Sequence, residues 1–259
     1  MKQIFIILLI VGNTGLLCQC QSKAEYVESL MDDSTDWSDF KYPDIDFTNE
    51  DINGKGINYA MYVPNPEEMI QETALRVCQQ LYKRTSEIPD VQKIEYRVHD
   101  YEGISGKGGE PPVIQISFSS DYLDQQIKAE VSKEKIVDEI VGVLVHEMTH
   151  AYQQSCEYKG EGWSIIEGIA DAVRYREGYI DVSLRKSGGN WTDGYKTTGF
   201  FIAWIAEYKK SDFLYLLNQS VGKDFNWTWE PHIQSIMGTS VESLWNEYQN
   251  FLSKTEAKG

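Results

Sequence analysis

The chain has 259 residues and a formal net charge of −16, with 41% of its residues apolar, so one large domain or two small ones can bury a sizeable core. The acidic balance argues against nucleic acid as a partner, because that affinity rests on Lys and Arg neutralising phosphates, and against anionic membrane surfaces. Sixteen Tyr and seven Trp fit either a large core or an aromatic-lined cleft.

Lys2 precedes the apolar run Ile4–Val11, a positive start and short hydrophobic stretch that mark a secretory signal peptide over residues 1–20. The run is too short to span a bilayer comfortably and no later stretch approaches it, so no transmembrane helix is expected in the mature chain. The expected location is secreted or in the cell envelope. Cys18 and Cys20 close this region, and either can serve as a lipid anchor in a bacterial source, although Leu17 and Gln19 are larger than such a cleavage site prefers. Residues 21–56 are rich in Asp and Glu with poor apolar periodicity, and read as an acidic linker or spacer.

Pro66 sits where a helix would begin, and Met69, Ile70, Ala74, Val77 and Leu81 follow at helical spacing. Ile94, Tyr96 and Val98 alternate as a strand does. Gly103 to Gly109 reads as a glycine-rich turn leading to a second strand over Val113–Phe118. From Lys133 the pattern is helical and so apolar, through Ile136, Ile140, Val143, Leu144 and Val145, that the helix is expected to be buried nearly all round. Further helices are expected at Ser164–Glu177, Thr198–Tyr208, Asp212–Asn218 and Val241–Leu252. The fold class is α+β, a small N-terminal sheet followed by a mostly helical domain over residues 57–252, with a tail at 253–259. Cys78 and Cys156 form either a disulfide, in an oxidising compartment, or two buried thiols.

The apolar helix ends in His146-Glu147-Met148-Thr149-His150. Residues four apart share a helix face, so two imidazoles can hold one ion with Glu147 beside them, the metalloprotease pattern. A core helix with two satisfied histidines would instead bury Glu147 without a partner, which is costly. A catalytic Zn2+ needs a third protein ligand and a position for water. Glu167 can be that ligand, and Asp171, four residues on, can accept the free ring N–H of a ligand histidine. Asp171 itself, His232 and Tyr195 compete for the third position. In the expected chemistry Glu147 takes the proton of a zinc-bound water, and Tyr195 or His232 steadies the oxyanion.

Four blocks resemble the basic secretory protein family of plants and bacteria, zinc peptidases of gluzincin type. They are Tyr96–Gly103 with Ile116–Ser119, Glu139–His150, Glu167–Arg174, and Trp191–Phe201 with Leu244–Tyr248. The second and third are the specific ones. The resemblance implies a zincin-like domain, export, peptidase chemistry on a peptide or protein substrate, and roles for His146, Glu147, His150 and Glu167. The acidic charge departs from the family's basic character and removes any partner inferred from a basic surface. Two alternatives stand beside this reading. One is a zinc hydrolase of another amide. The other is a non-enzymatic recognition protein using an aromatic surface around Trp227, Trp229 and Trp245.

Overall fold

The computed structural model describes residues 36–129 and 132–256. The signal segment, Cys18 and Cys20 lie outside the described residues. The fold is mixed α+β, as expected. Strands β1 (Asp44–Asn49), β2 (Lys93–His99), β3 (Ser105–Glu110) and β4 (Val113–Ser119) form one sheet in the order β1-β2-β4-β3. The first three neighbours are parallel, and β3 returns antiparallel to β4. One face is apolar: Ile94, Tyr96 and Val98 of β2 and Ile114, Ile116 and Phe118 of β4 are buried. Each such side chain contributes ~1.5–3 kcal/mol relative to exposure. The other face is polar, with Lys93 bonded to Asp46 and Gln115 to Glu95.

Two strands correct the sequence reading. The acidic stretch before residue 57 is not spacer throughout: β1 lies in it, and helix α1 (Gly56–Tyr62) begins at its last residue. In β1 the exposed Asp44, Asp46 and Thr48 alternate with half-buried Ile45, Phe47 and Asn49, and Phe47 stacks on Tyr59 and Tyr96. Ser105–Glu110, expected as a turn, is the edge strand β3. It has almost no apolar content of its own, and its strand geometry comes from pairing with β4.

The remaining helices are α2 (Pro66–Leu81), α3 (Ser120–Lys128), α4 (Lys133–Tyr152), α5 (Glu161–Arg176), α6 (Tyr195–Tyr208), α7 (Phe213–Val221), α8 (Trp229–Met237) and α9 (Val241–Glu256). The Ser132 hydroxyl caps α4 by accepting the Lys135 N–H. Beyond its first turns, α4 is buried over most of its surface, as its composition demands. The unexpected α3 and α8 are short, but their ends are marked. Ser119 caps α3, while Pro231 lies in the first turn of α8 and Gly238 follows it in a left-handed conformation.

Cys78 and Cys156 are free and buried, so no disulfide joins them. Trp227, Trp229 and Trp245 are also buried, in the aromatic core between α6, α8 and α9, so they offer no recognition surface.

Helices α5 and α6 approach closely because each presents a glycine at the contact, Gly199 against the α5 backbone and Gly168 against the Thr198 side chain. A Cβ on Gly199 would lie 2.9 Å from the Ala172 nitrogen and 2.9 Å from Asp171 Cβ, and one on Gly168 would strike Thr198. Gly199→Ala is therefore expected to lose ~1–3 kcal/mol of stability, the usual cost of overpacking. A urea midpoint unchanged from the parent would contradict this.

Candidate metal centre and active-site cleft

A cleft of about 1030 Å³ runs between β3, α4, α5 and the start of α6. His146 and His150 reach it from α4, one turn apart, with their rings nearly perpendicular at 89°. Glu167 and Asp171 reach it from the facing side of α5. The two Nε2 atoms are 3.0 Å apart, and Glu167 Oε2 lies 3.2 Å from that of His146 and 3.6 Å from that of His150. Neighbouring ligands on a tetrahedral ion with bonds of ~2.0–2.1 Å sit ~3.3–3.4 Å apart. The three separations bracket that value, so His146, His150 and Glu167 form a group that can hold a metal ion.

Asp171 occupies the other side of the His146 ring, its Oδ1 2.8 Å from Nδ1. This is the placement that orients a ligand histidine and leaves Nε2 free. Burial alone would lower the His146 pKa, but hydrogen bonds to Asp171 and Glu167 outweigh it and push the ring up to about 9. Glu167 is opposed by burial too, yet both imidazoles and the Tyr158 hydroxyl, which donates to Oε1, hold its carboxyl well below the usual range. Glu147 differs. It is 7% exposed, and burial drives its carboxyl upward against the partial compensation of the two imidazoles.

Tyr195 opens α6 with its ring stacked on His146, 6.1 Å between centroids, and its other contact edge-on to Trp163. Its φ of 42° lies in the left-handed region that a bulky residue rarely adopts. The preceding Gly194, at φ 72°, lies so close to Trp163 that a Cβ would come within 2.7 Å of it. His232, the other candidate donor and ligand, is not at this site. It stands on α8, its Nδ1 bonded to the Thr228 carbonyl and its ring stacked on Trp227.

Sequence reasoning missed three cleft residues. Tyr158 and Gln153 come from the connection between α4 and α5, and Ser105 comes from β3 beside Glu147. No spacing rule points to Tyr158 or Ser105, whereas Gln153 follows His150 at the helical i, i+3 spacing.

A family model described as a peptidase of plants and bacteria matches residues 42–248. The chain belongs to this family. It is the basic secretory protein family that the sequence blocks resemble, and the match takes in all four strands and the whole cleft. No curated protein and no solved structure matches the chain. As a family member it carries the peptidase description and with it a peptide or protein substrate. Among the described residues, no helix is long and apolar enough to cross a membrane.

The raised His146 pKa gives a proton count for metal uptake. Below about pH 9 the metal-free ring is protonated, and coordination through Nε2 must displace that proton. If Nε2 of His146 takes a metal ion, binding of a divalent cation at pH 7 is expected to release about one proton from this ring, and its affinity to rise about tenfold per pH unit between roughly 7 and 9. Calorimetric titration in buffers of different ionisation heat measures both. Affinity independent of pH over that range would overturn the assignment of His146 as a ligand.

Proposed function

We propose that this family member is an exported zinc-dependent peptidase, with His146, His150 and Glu167 as ligands and Glu147 as general base. The observation that carries the reading is the convergence of two imidazole nitrogens and one carboxylate oxygen at tetrahedral spacing, with a second, buried carboxyl beside them. Two nitrogens and one carboxylate are a donor set that suits zinc. When bound there, the ion supplies Lewis acidity, lowering the pKa of water and polarising a carbonyl.

The protein's own groups supply the rest. Asp171 fixes the His146 ring with Nε2 facing the cleft. Glu147, its pKa raised by burial, accepts a proton from the attacking water and delivers it to the leaving amine. Tyr195 and Tyr158 line the same cleft, and burial together with nearby carboxylates raises both phenol pKa values. Both therefore stay protonated at neutral pH; the Tyr158 O–H is committed to Glu167, so Tyr195 is the donor suited to a developing oxyanion. The edge strand β3 borders the cleft and has backbone groups to pair with an extended peptide. Export is supported by Lys2 and the short apolar run after it.

The deciding experiment compares the parent with Glu147→Gln on a mixed peptide library, measuring bound zinc in both. Cleavage is expected to fall by ~10²–10⁴-fold in Glu147→Gln, with about one equivalent of metal retained. Undiminished cleavage would remove Glu147 from the mechanism. Zinc-free parent protein with full activity would remove the metal.

A further inference from the structure

Gln153 caps the C-terminus of helix α4, one residue past its end and three past His150, with its own N–H bonded to the Thr149 carbonyl. Its side chain turns back into the cleft and is 8% exposed. The amide nitrogen Nε2 lies 2.9 Å from His150 Nδ1, and the amide oxygen Oε1 is buried with no hydrogen-bond partner. A buried, orphaned carbonyl oxygen is costly, so the arrangement points to a second state in which that oxygen is used.

The second state follows from the protons. His150 directs Nε2 at His146 and Glu167. If Nε2 gives its lone pair to a metal, the neutral ring carries its proton on Nδ1. An Nδ1–H facing an amide NH2 sets two donors against each other. Half a turn about the last side-chain bond exchanges the amide atoms, so that Oε1 accepts from Nδ1–H. One rotation then gives the oxygen a donor and the Nδ1–H an acceptor, and moves the amide NH2 to the position the oxygen held.

We infer that Gln153 is the orienting partner of His150, the counterpart of Asp171 at His146, and that its amide carbonyl accepts the Nδ1–H when Nε2 is coordinated. The inference rests on the proposed role of His150 as a ligand. It makes the two histidines unequal. His146 is backed by a carboxylate and His150 by a neutral amide, which orients the ring without adding another negative charge beside Glu147, Glu167 and Asp171. Gln153 is a positioning residue that acts through His150.

The test measures Zn2+ affinity by competition with a chromogenic chelator for the parent, Gln153→Leu and Gln153→Glu. Nitrogen-15 spectra of the imidazoles accompany the zinc-loaded forms. Gln153→Leu is expected to weaken zinc ~10–100-fold, the usual effect of removing an outer partner of a ligand. Its His150 Nδ1 proton should exchange faster than in the parent. Gln153→Glu, which keeps an acceptor of the same reach, should bind zinc at least as tightly as the parent and keep that proton protected. A merely structural Gln153 would lower thermal stability in both variants and leave zinc affinity unchanged, which would overturn the inference. Failure of Gln153→Glu to exceed Gln153→Leu would overturn it as well. A parent that binds no zinc would overturn the proposed metal site itself, whereas zinc binding that is equal in parent and Gln153→Leu removes only the role of Gln153.

Discussion

Glu147, Glu167 and Asp171 are each at most 7% exposed and share one pocket. A buried carboxylate without compensation takes up a proton or opens its surroundings, since the cost of a lone buried charge is comparable to a domain's whole stability margin. The pairing of these carboxylates with two imidazoles is therefore what the centre of the molecule rests on. Asp171 is answered by His146 Nδ1, and Glu167 by both Nε2 atoms and Tyr158. Glu147 has the weakest compensation, and its pKa rises while that of Glu167 falls. Two carboxyls separated in this way suit two different tasks, one permanently anionic and one able to exchange a proton.

That pairing requires α4 and α5 to present their polar faces at a fixed offset. The first is held by burial over most of its surface. The second is clamped from behind by α6, whose close approach depends on Gly168 and Gly199. The same approach delivers Tyr195 to the cleft at the first residue of α6. Its unusual backbone conformation, with Trp163 and His146 on two sides of its ring, is of the kind that persists where the surroundings over-determine it.

Features with a local repeat were legible in the sequence. The i, i+4 spacing of His146 with His150 and of Glu167 with Asp171 put each pair on one face, and the alternation in β2 and β4 marked the sheet. Helix α5 begins three residues before the expected Ser164, because the chain turns into it at Gly160 with φ 55°. Strand β1 also carries an alternating pattern, Ile45 and Phe47, but between acidic residues whose composition suggested a solvated spacer. They lie on the exposed side of the strand, so charge and strand structure are compatible. Strand β3 and Tyr158 had no local signal, because their positions are set by partners elsewhere in the chain, whereas Gln153 stands three residues past His150, within helical reach of it. His232 shows the opposite failure, since residue type alone nominated it and the fold carries it to another helix.

The composition of β3, Ser-Gly-Lys-Gly-Gly-Glu, has a consequence for selectivity. An edge of a sheet is a liability in solution, because any extended chain can add to it. Here such an intruder would gain backbone hydrogen bonds but no apolar side chains to pack against, so self-association along this edge is poorly rewarded. A peptide paired there would be held chiefly through its backbone, with Lys107 and Glu110 as the charged residues that β3 contributes to the cleft lining. Apolar selectivity would then come from the rest of the cleft lining, which includes Val143 and Ile166.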